Sequence, residues 1–215
     1  MGSHHDHRKP DETTAETQGV VWDWAWRYDL LIGLVTVGRE RAFRRRTAEL
    51  AQLQPGETVL DVGCGTGTLA ILAKECVGAT GHVAGIDPSW QMIARAHGKA
   101  EQAGLSIDFR VGVIEQLPFP DQSFNVVLST FMMHHLPDSL KRRGLSEIAR
   151  VLQPGGRLLV LDFRAHAGPW KRSIWDLPAL LSEARFSSIE SRKAGFPGLG
   201  IVRARKHESA CQPGD

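Results

Sequence analysis

The chain has 215 residues, 42% hydrophobic and 23% charged, a balance that supports one globular domain with a substantial core. A formal net charge of +2 is too small for a domain built to track nucleic-acid phosphates, and no run approaches the roughly 20 apolar residues that cross a bilayer. Three cysteines, Cys64, Cys76 and Cys211, lack both the spacing of a zinc site and the density of a disulfide scaffold, which fits a reducing cytoplasm.

Residues 1–19 are polar and without hydrophobic period, so they read as a disordered leader whose His4, His5 and His7 are solvated tail and not a metal site. Two helical patterns fill residues 20–54, the second from near Gly38 with Ala42, Phe43, Leu50 and Leu53 on one face. The run Arg39, Arg41, Arg44, Arg45 and Arg46 reads as a solvated helix face, partly balanced by Glu40 and Glu49. The turn Pro55-Gly56 introduces a strand at 58–62, followed by a helix at 67–77, a strand at 82–86, a helix at 89–103 and strands at 106–111 and 124–129. A helix at 139–152 and the turn 153–156 precede the apolar strand 157–162. A helix near 173–184, strands at 186–191 and 199–205 and a flexible tail from 208 complete the chain. This alternation predicts a single α/β domain over 20–207, with a mainly parallel seven-stranded sheet, helices on both faces and an antiparallel strand near the C-terminus.

The segment VLDVGCGTG ends the first strand and opens the next helix, placing Asp61, Gly63, Gly65 and Gly67 at alternate positions. Glycines there allow unusual dihedrals and close ligand approach, and the helix N-terminus offers free amides to a carboxylate. The dinucleotide fingerprint GxGxxG fails, because Thr68 occupies its sixth position counted from Gly63. An acid at Asp61 also suits a ligand amino group better than a pyrophosphate. Asp87 closes the second strand, where it either accepts both hydroxyls of a ribose or caps the helix beginning near Ser89.

The ordered segments VLDVGCGTG, IDPSWQMIARA, IEQLPFPDQSFNVVLS, MMHHLPD and EIARVLQPGGRLLVLDF resemble the class I S-adenosylmethionine-dependent methyltransferases, in particular their quinone C-methyltransferase-like branch. The resemblance spans residues 58–162 and implies a Rossmann-like fold, S-adenosyl-L-methionine as cofactor, S-adenosyl-L-homocysteine as product and a small-molecule acceptor. It implies that Gly63, Cys64 and Gly65 cradle the methionine portion, Asp87 holds the ribose, Pro88 and Met92 flank the adenine, Val113 and Ile114 close the adenine pocket and Ser129 lines the methionine side. Many relatives carry Asp where this chain has Val113 and Asn125.

Methyl transfer from a sulfonium chiefly requires placement and exclusion of water, and a base only where the acceptor is weakly acidic. His134 and His135 are the candidates for that base, with helix-start packing as the alternative reading. The stretch WDWAWRYDLL predicts a lid over the cofactor, with Tyr28 as its contact; core packing or an anchor on an anionic membrane surface are the other readings of these aromatics. A module that binds the cofactor without turnover is the competing function, and nucleic-acid methylation is disfavoured because STFMMHH stands where such enzymes carry an Asn-Pro-Pro-Tyr type motif.

Overall fold

The apolar run behind the Pro55-Gly56 turn forms β1 (Thr58–Val62), buried at every residue after Thr58 as befits a strand covered on both faces. The computed structural model of the protein describes residues 40–164 and 173–208; the expected leader, the Trp-rich segment with Tyr28 and the tail beyond 208 lie outside them. β2 (His82–Asp87), β3 (Asp108–Val111), β4 (Phe124–Thr130) and β5 (Leu152–Phe163) extend the sheet in parallel. β6 (Phe186–Lys193) pairs antiparallel with β7 (Leu199–Lys206), which pairs antiparallel with β5, giving the order β3-β2-β1-β4-β5-β7-β6.

Helices α1 (Glu40–Ala51), α2 (Thr68–Val77) and α3 (Trp90–Gln102) lie on one face of the sheet, and α4 (Asp138–Val151) and α5 (Leu177–Glu183) on the other. Because strand side chains alternate, neighbouring residues feed different cores. Leu60, Val127, Leu158 and Val160 pack with Leu145, Ile148 and Leu181. Val59, Val126, Leu128, Leu159 and Leu161 pack with Leu69, Ala73, Ile93 and Ala96. Each buried aliphatic side chain contributes about 1.5–3 kcal/mol, so these two layers carry most of the stability.

Strand order reverses at β1: the chain moves outward through β2 and β3, then returns to the opposite side as β4. Such a switch opens a crevice beyond the carboxyl ends of β1 and β4, the position at which open α/β sheets take ligands.

Three expectations are corrected. The turn at 153–156 lies within β5 as an irregularity, its pairing with β4 jumping from Phe124↔Leu152 to Val126↔Arg157, and Gly155 holds a φ of 72°. The helix expected near 173–184 is a 3-10 turn (Ile174–Asp176) followed by α5, since Pro178 lacks an N–H and is accommodated only in a first turn. The arginine run is not uniformly solvated: Arg45 and Arg46 are exposed, but Arg44 is only 6% exposed.

Candidate functional site

The glycine loop takes its shape from backbone conformations that L side chains resist. Gly63, Gly65 and Gly67 have φ of 73°, 54° and 77°. A Cβ on Gly63 would lie 2.6 Å from Met132 Cγ, so glycine is needed there for space as well as dihedral. The amides of Gly63 and Cys64 both donate to the Ile86 carbonyl at 2.9 Å, and Gly65 N–H donates to Asp87 Oδ2 at 3.0 Å. Loop and second strand end are thereby one unit. Lys99, from the last turn of α3, donates to Thr66 Oγ1 at 2.7 Å and Thr68 Oγ1 at 3.2 Å, fastening the far side.

Two carboxylates converge on this loop in poorly solvated positions. Asp61 is 1% exposed, and neither of its oxygens has a partner at ordinary hydrogen-bond geometry. Burial pushes its pKa up to about 7, against a smaller lowering pull from the Arg44 guanidinium, with the Asp87 charge raising it and the Ala70 amide lowering it. Asp87 rises to about 6, again through burial, opposed by the amides of Ser89 and Gly65 that donate to it. Ser89 caps α3 through its own hydroxyl, which accepts from Met92 N–H at 3.4 Å. The capping alternative for Asp87 therefore falls to its neighbour, leaving the Asp87 carboxylate as the brace between loop and strand.

Near the end of β4, Ser129 is fully buried and its hydroxyl oxygen is likewise without a hydrogen-bond partner. Buried polar groups are normally satisfied, so Asp61 and Ser129, on opposite faces of neighbouring strand ends, each mark a position shaped for something polar. Arg44 reaches over from α1 to donate to Thr130 Oγ1 at 3.1 Å. Sequence reasoning missed it by treating the arginines as one run. The signal was present in the helical spacing, because Arg44, Thr47, Ala48 and Ala51 are all buried and share one face.

The remaining expected contacts divide. Pro88 and Val113 are partly exposed near the end of the second and third strands, whereas Met92 is 3% and Ile114 5% exposed. Ile114 packs on α4, where a Cβ on Gly144 would meet its Cδ1 at 2.6 Å, so its side chain belongs to the core and only its backbone can face a ligand. The Cys64 thiol is buried, and burial beside Asp87 and Asp61 holds its pKa well above the usual thiol value. Asn125 is far from this edge: it accepts from Thr58 N–H and donates to Gln153, both at 2.8 Å, and so splices the starts of three strands.

Beyond β4 the chain turns sharply at Phe131, a non-glycine residue with φ 56°, whose N–H donates to the Leu161 carbonyl at 2.9 Å. Backbone in this conformation is costly and persists where surrounding contacts fix it. It directs Met132 onto Gly63 and places His134 against β5. His134 Nδ1 is 2.7 Å from Asp162 Oδ1, while its backbone N–H donates to Asp162 Oδ2 at 3.0 Å. The His135 ring lies beside it, tilted by 43° with ring centroids 3.8 Å apart. Asp162, which sequence reasoning passed over inside an apolar strand, is 2% exposed.

The chain matches the methyltransferase domain family over residues 59–156. It is 35% identical over 185 residues to a ubiquinone/menaquinone biosynthesis C-methyltransferase from Xanthomonas oryzae, covering 85% of this chain and 72% of that one. The chain is a class I S-adenosylmethionine-dependent methyltransferase. A 2-phytyl-1,4-naphtoquinone methyltransferase from Synechococcus elongatus is 30% identical over 206 residues, 86% of this methyltransferase and 88% of the relative. A SAM dependent methyltransferase from Aquifex aeolicus superposes with a TM-score of 0.68 at 25% identity, over 82% of this chain and 97% of that one. This methyltransferase thus belongs to the quinone C-methyltransferase-like branch, with S-adenosylmethionine as cofactor. Among the described residues no helix is long and apolar enough to cross a membrane.

Proposed function

We propose that this enzyme methylates a small quinone-type molecule in the cytoplasm, with S-adenosylmethionine bound across the carboxyl ends of β1, β2 and β4. The observation that carries the reading is a buried Asp61 carboxylate without a hydrogen-bond partner directly before a loop whose Gly63, Gly65 and Gly67 hold left-handed dihedrals. Relatives 35% and 30% identical to this chain, a ubiquinone/menaquinone biosynthesis C-methyltransferase and a 2-phytyl-1,4-naphtoquinone methyltransferase, support the acceptor class.

The residues fit the cofactor chemically. Asp61 accepts from the ligand's amino group, which supplies the hydrogen-bond donors that its oxygens lack here. Asp87 receives the ribose hydroxyls; its oxygens already accept from Gly65 and Ser89, and a carboxylate has lone pairs to spare. Gly63, Cys64 and Gly65 cradle the methionine part, Pro88 and Met92 border the adenine with Val113 and the Ile114 backbone, and Ser129 lines the methionine side. When bound, S-adenosylmethionine offers a methyl carbon already activated by its sulfonium, so the protein's work is to place the acceptor and exclude water.

Thermal unfolding with S-adenosylmethionine and with S-adenosylhomocysteine tests this reading. A ligand at 100 times its Kd stabilises the fold by about 2.7 kcal/mol, so a clear upward shift in Tm is expected from both compounds. The shift is expected to shrink in Asp61→Asn and Asp87→Ala at the same ligand concentration. No shift in the parent chain contradicts the reading.

A further inference from the structure

β1 ends at Val62 and β4 at Thr130, and the crevice between them lies where the strand order reverses. Met132 crosses that crevice. Starting two residues beyond β4, its side chain lies over Gly63, the first residue beyond β1, so closely that a Cβ on Gly63 would stand 2.6 Å from the Met132 Cγ and 2.9 Å from its Cβ. The backbone imposes this placement. Phe131 holds φ 56° with its N–H on the Leu161 carbonyl, and the Met132 carbonyl accepts from His135 N–H at 3.0 Å, so the residue is fixed on both sides. Its neighbours Phe131, Met133 and His134 are 4%, 3% and 8% exposed, whereas Met132 is only partly buried. The turn gives three residues to the interior and one apolar side chain to the crevice.

We propose that Met132 is a specificity-determining residue: its side chain is the wall against which the flat ring of a quinone-type acceptor lies, and its volume limits the group that this ring carries beside the methylated position. The inference rests on the function proposed above and deepens it. A sulfonium methyl is attacked in line by a nucleophile held at about 3–3.5 Å. With the methionine part of the cofactor along Gly63 and Gly65, the loop closes one side of that methyl, and the acceptor reaches it from beyond the end of β4, past Met132. A thioether moves no proton in such a transfer. What it offers is apolar volume, three rotatable bonds and favourable contact with aromatic rings, the properties suited to seating a flat apolar ring. A methylene too many or too few in an apolar pocket changes relative rates about 10- to 200-fold, so a side chain of this size is enough to select among ring substituents.

Two measurements on the full chain test this. In protein carrying carbon-13 at the methyl groups of its four methionines, the Met132 signal is the one lost in Met132→Ala. With S-adenosylhomocysteine bound, adding 1,4-naphthoquinol is expected to move the Met132 signal upfield through the ring current and to move those of Met92 and Met133 less. A Met132 signal that stays in place overturns the inference. The second measurement is methyl transfer to 1,4-naphthoquinol and to its 2-prenyl derivative, read as the ratio of their kcat/KM values. Met132→Ala is expected to raise the ratio of prenylated to plain acceptor about 10-fold or more, and Met132→Phe to lower it by a similar factor, with S-adenosylhomocysteine still raising Tm in both variants. Ratios within about threefold of the parent in both variants overturn the inference. Loss of cofactor binding with an unchanged ratio overturns it too, and assigns Met132 to the cofactor cradle instead. A parent that binds S-adenosylhomocysteine and methylates neither quinol overturns the quinone-type acceptor, and this inference with it. A parent that binds neither cofactor form overturns the proposed cofactor site on which both stand.

Discussion

The two edges of the sheet treat polar groups in opposite ways. At the edge where the strands begin, charges and amides are matched: Arg157 grips both oxygens of Glu57 at 2.8 Å, Lys74 donates to the Gly78 and Gly81 carbonyls, and Arg150 joins Glu147, Asp121 and two carbonyls. At the edge where they end, Asp61 and Ser129 are buried without hydrogen-bond partners and three alternate loop glycines hold left-handed dihedrals. Burying an unpaired polar group costs stability, and a fold concentrates that cost where a ligand repays it. The contrast separates structural polar residues from ligand-binding ones without reference to residue type.

The largest break in that contrast comes from Gly63→Val at the ligand edge. Its Cβ meets Met132 at φ 73°, so cofactor binding is expected to disappear and stability to fall by about 2–4 kcal/mol, read by calorimetry and denaturant unfolding. Asp61→Asn should do something different in kind. Losing a charge-assisted contact weakens S-adenosylmethionine binding by about 1.5–3 kcal/mol, roughly 10- to 100-fold, while the unliganded fold gains stability near neutral pH because a poorly solvated carboxylate is gone. Arg157→Met at the opposite edge is the mirror case. It strands Glu57, lowering stability by about 1–3 kcal/mol with the cofactor Kd changed less than about twofold. Weakened binding in that variant would abolish the distinction between edges. Arg44→Met has the smallest expected effect, about a 10-fold loss of cofactor affinity, since it acts through Asp61 and Thr130 and does not replace either.

Stability against pH sharpens the same comparison. Asp61 titrates near 3.8 when unfolded and about 7 when folded, and Asp87 near 3.8 and about 6. Between those values the folded chain holds protons that the unfolded chain has released. Stability of the cofactor-free enzyme is therefore expected to fall as pH rises from about 4 toward 7 and to level off above, the slope shrinking in Asp61→Asn.

Much of this was legible in residue order. Near-continuous apolar runs and glycine punctuation give the strands, and VLDVGCGTG gives the loop, because both depend on local geometry. What stayed hidden required contacts distant in sequence. Arg44 looks solvated until α1 is docked on Thr130, 86 residues away. Asp162 looks like one more strand residue until the Phe131 turn brings His134 back to it, 28 residues earlier. The Ser89 cap was legible in type but not in its relation to Asp87, since either side chain could serve α3. Ile114 had the right position for the adenine pocket, yet the small residue on α4 that draws its side chain into the core lies 30 residues on, at Gly144.

Calorimetric titration with S-adenosylmethionine near pH 6.5, repeated in buffers of different ionisation enthalpy, addresses the ligand edge most directly. If the cofactor's amino group supplies the missing partner of Asp61, whose pKa stands at about 7 in the empty fold, binding should expel roughly half a proton or more into the buffer. That release should be absent in Asp61→Asn. Tight binding by the parent with no buffer dependence would contradict the assignment of Asp61 to the cofactor.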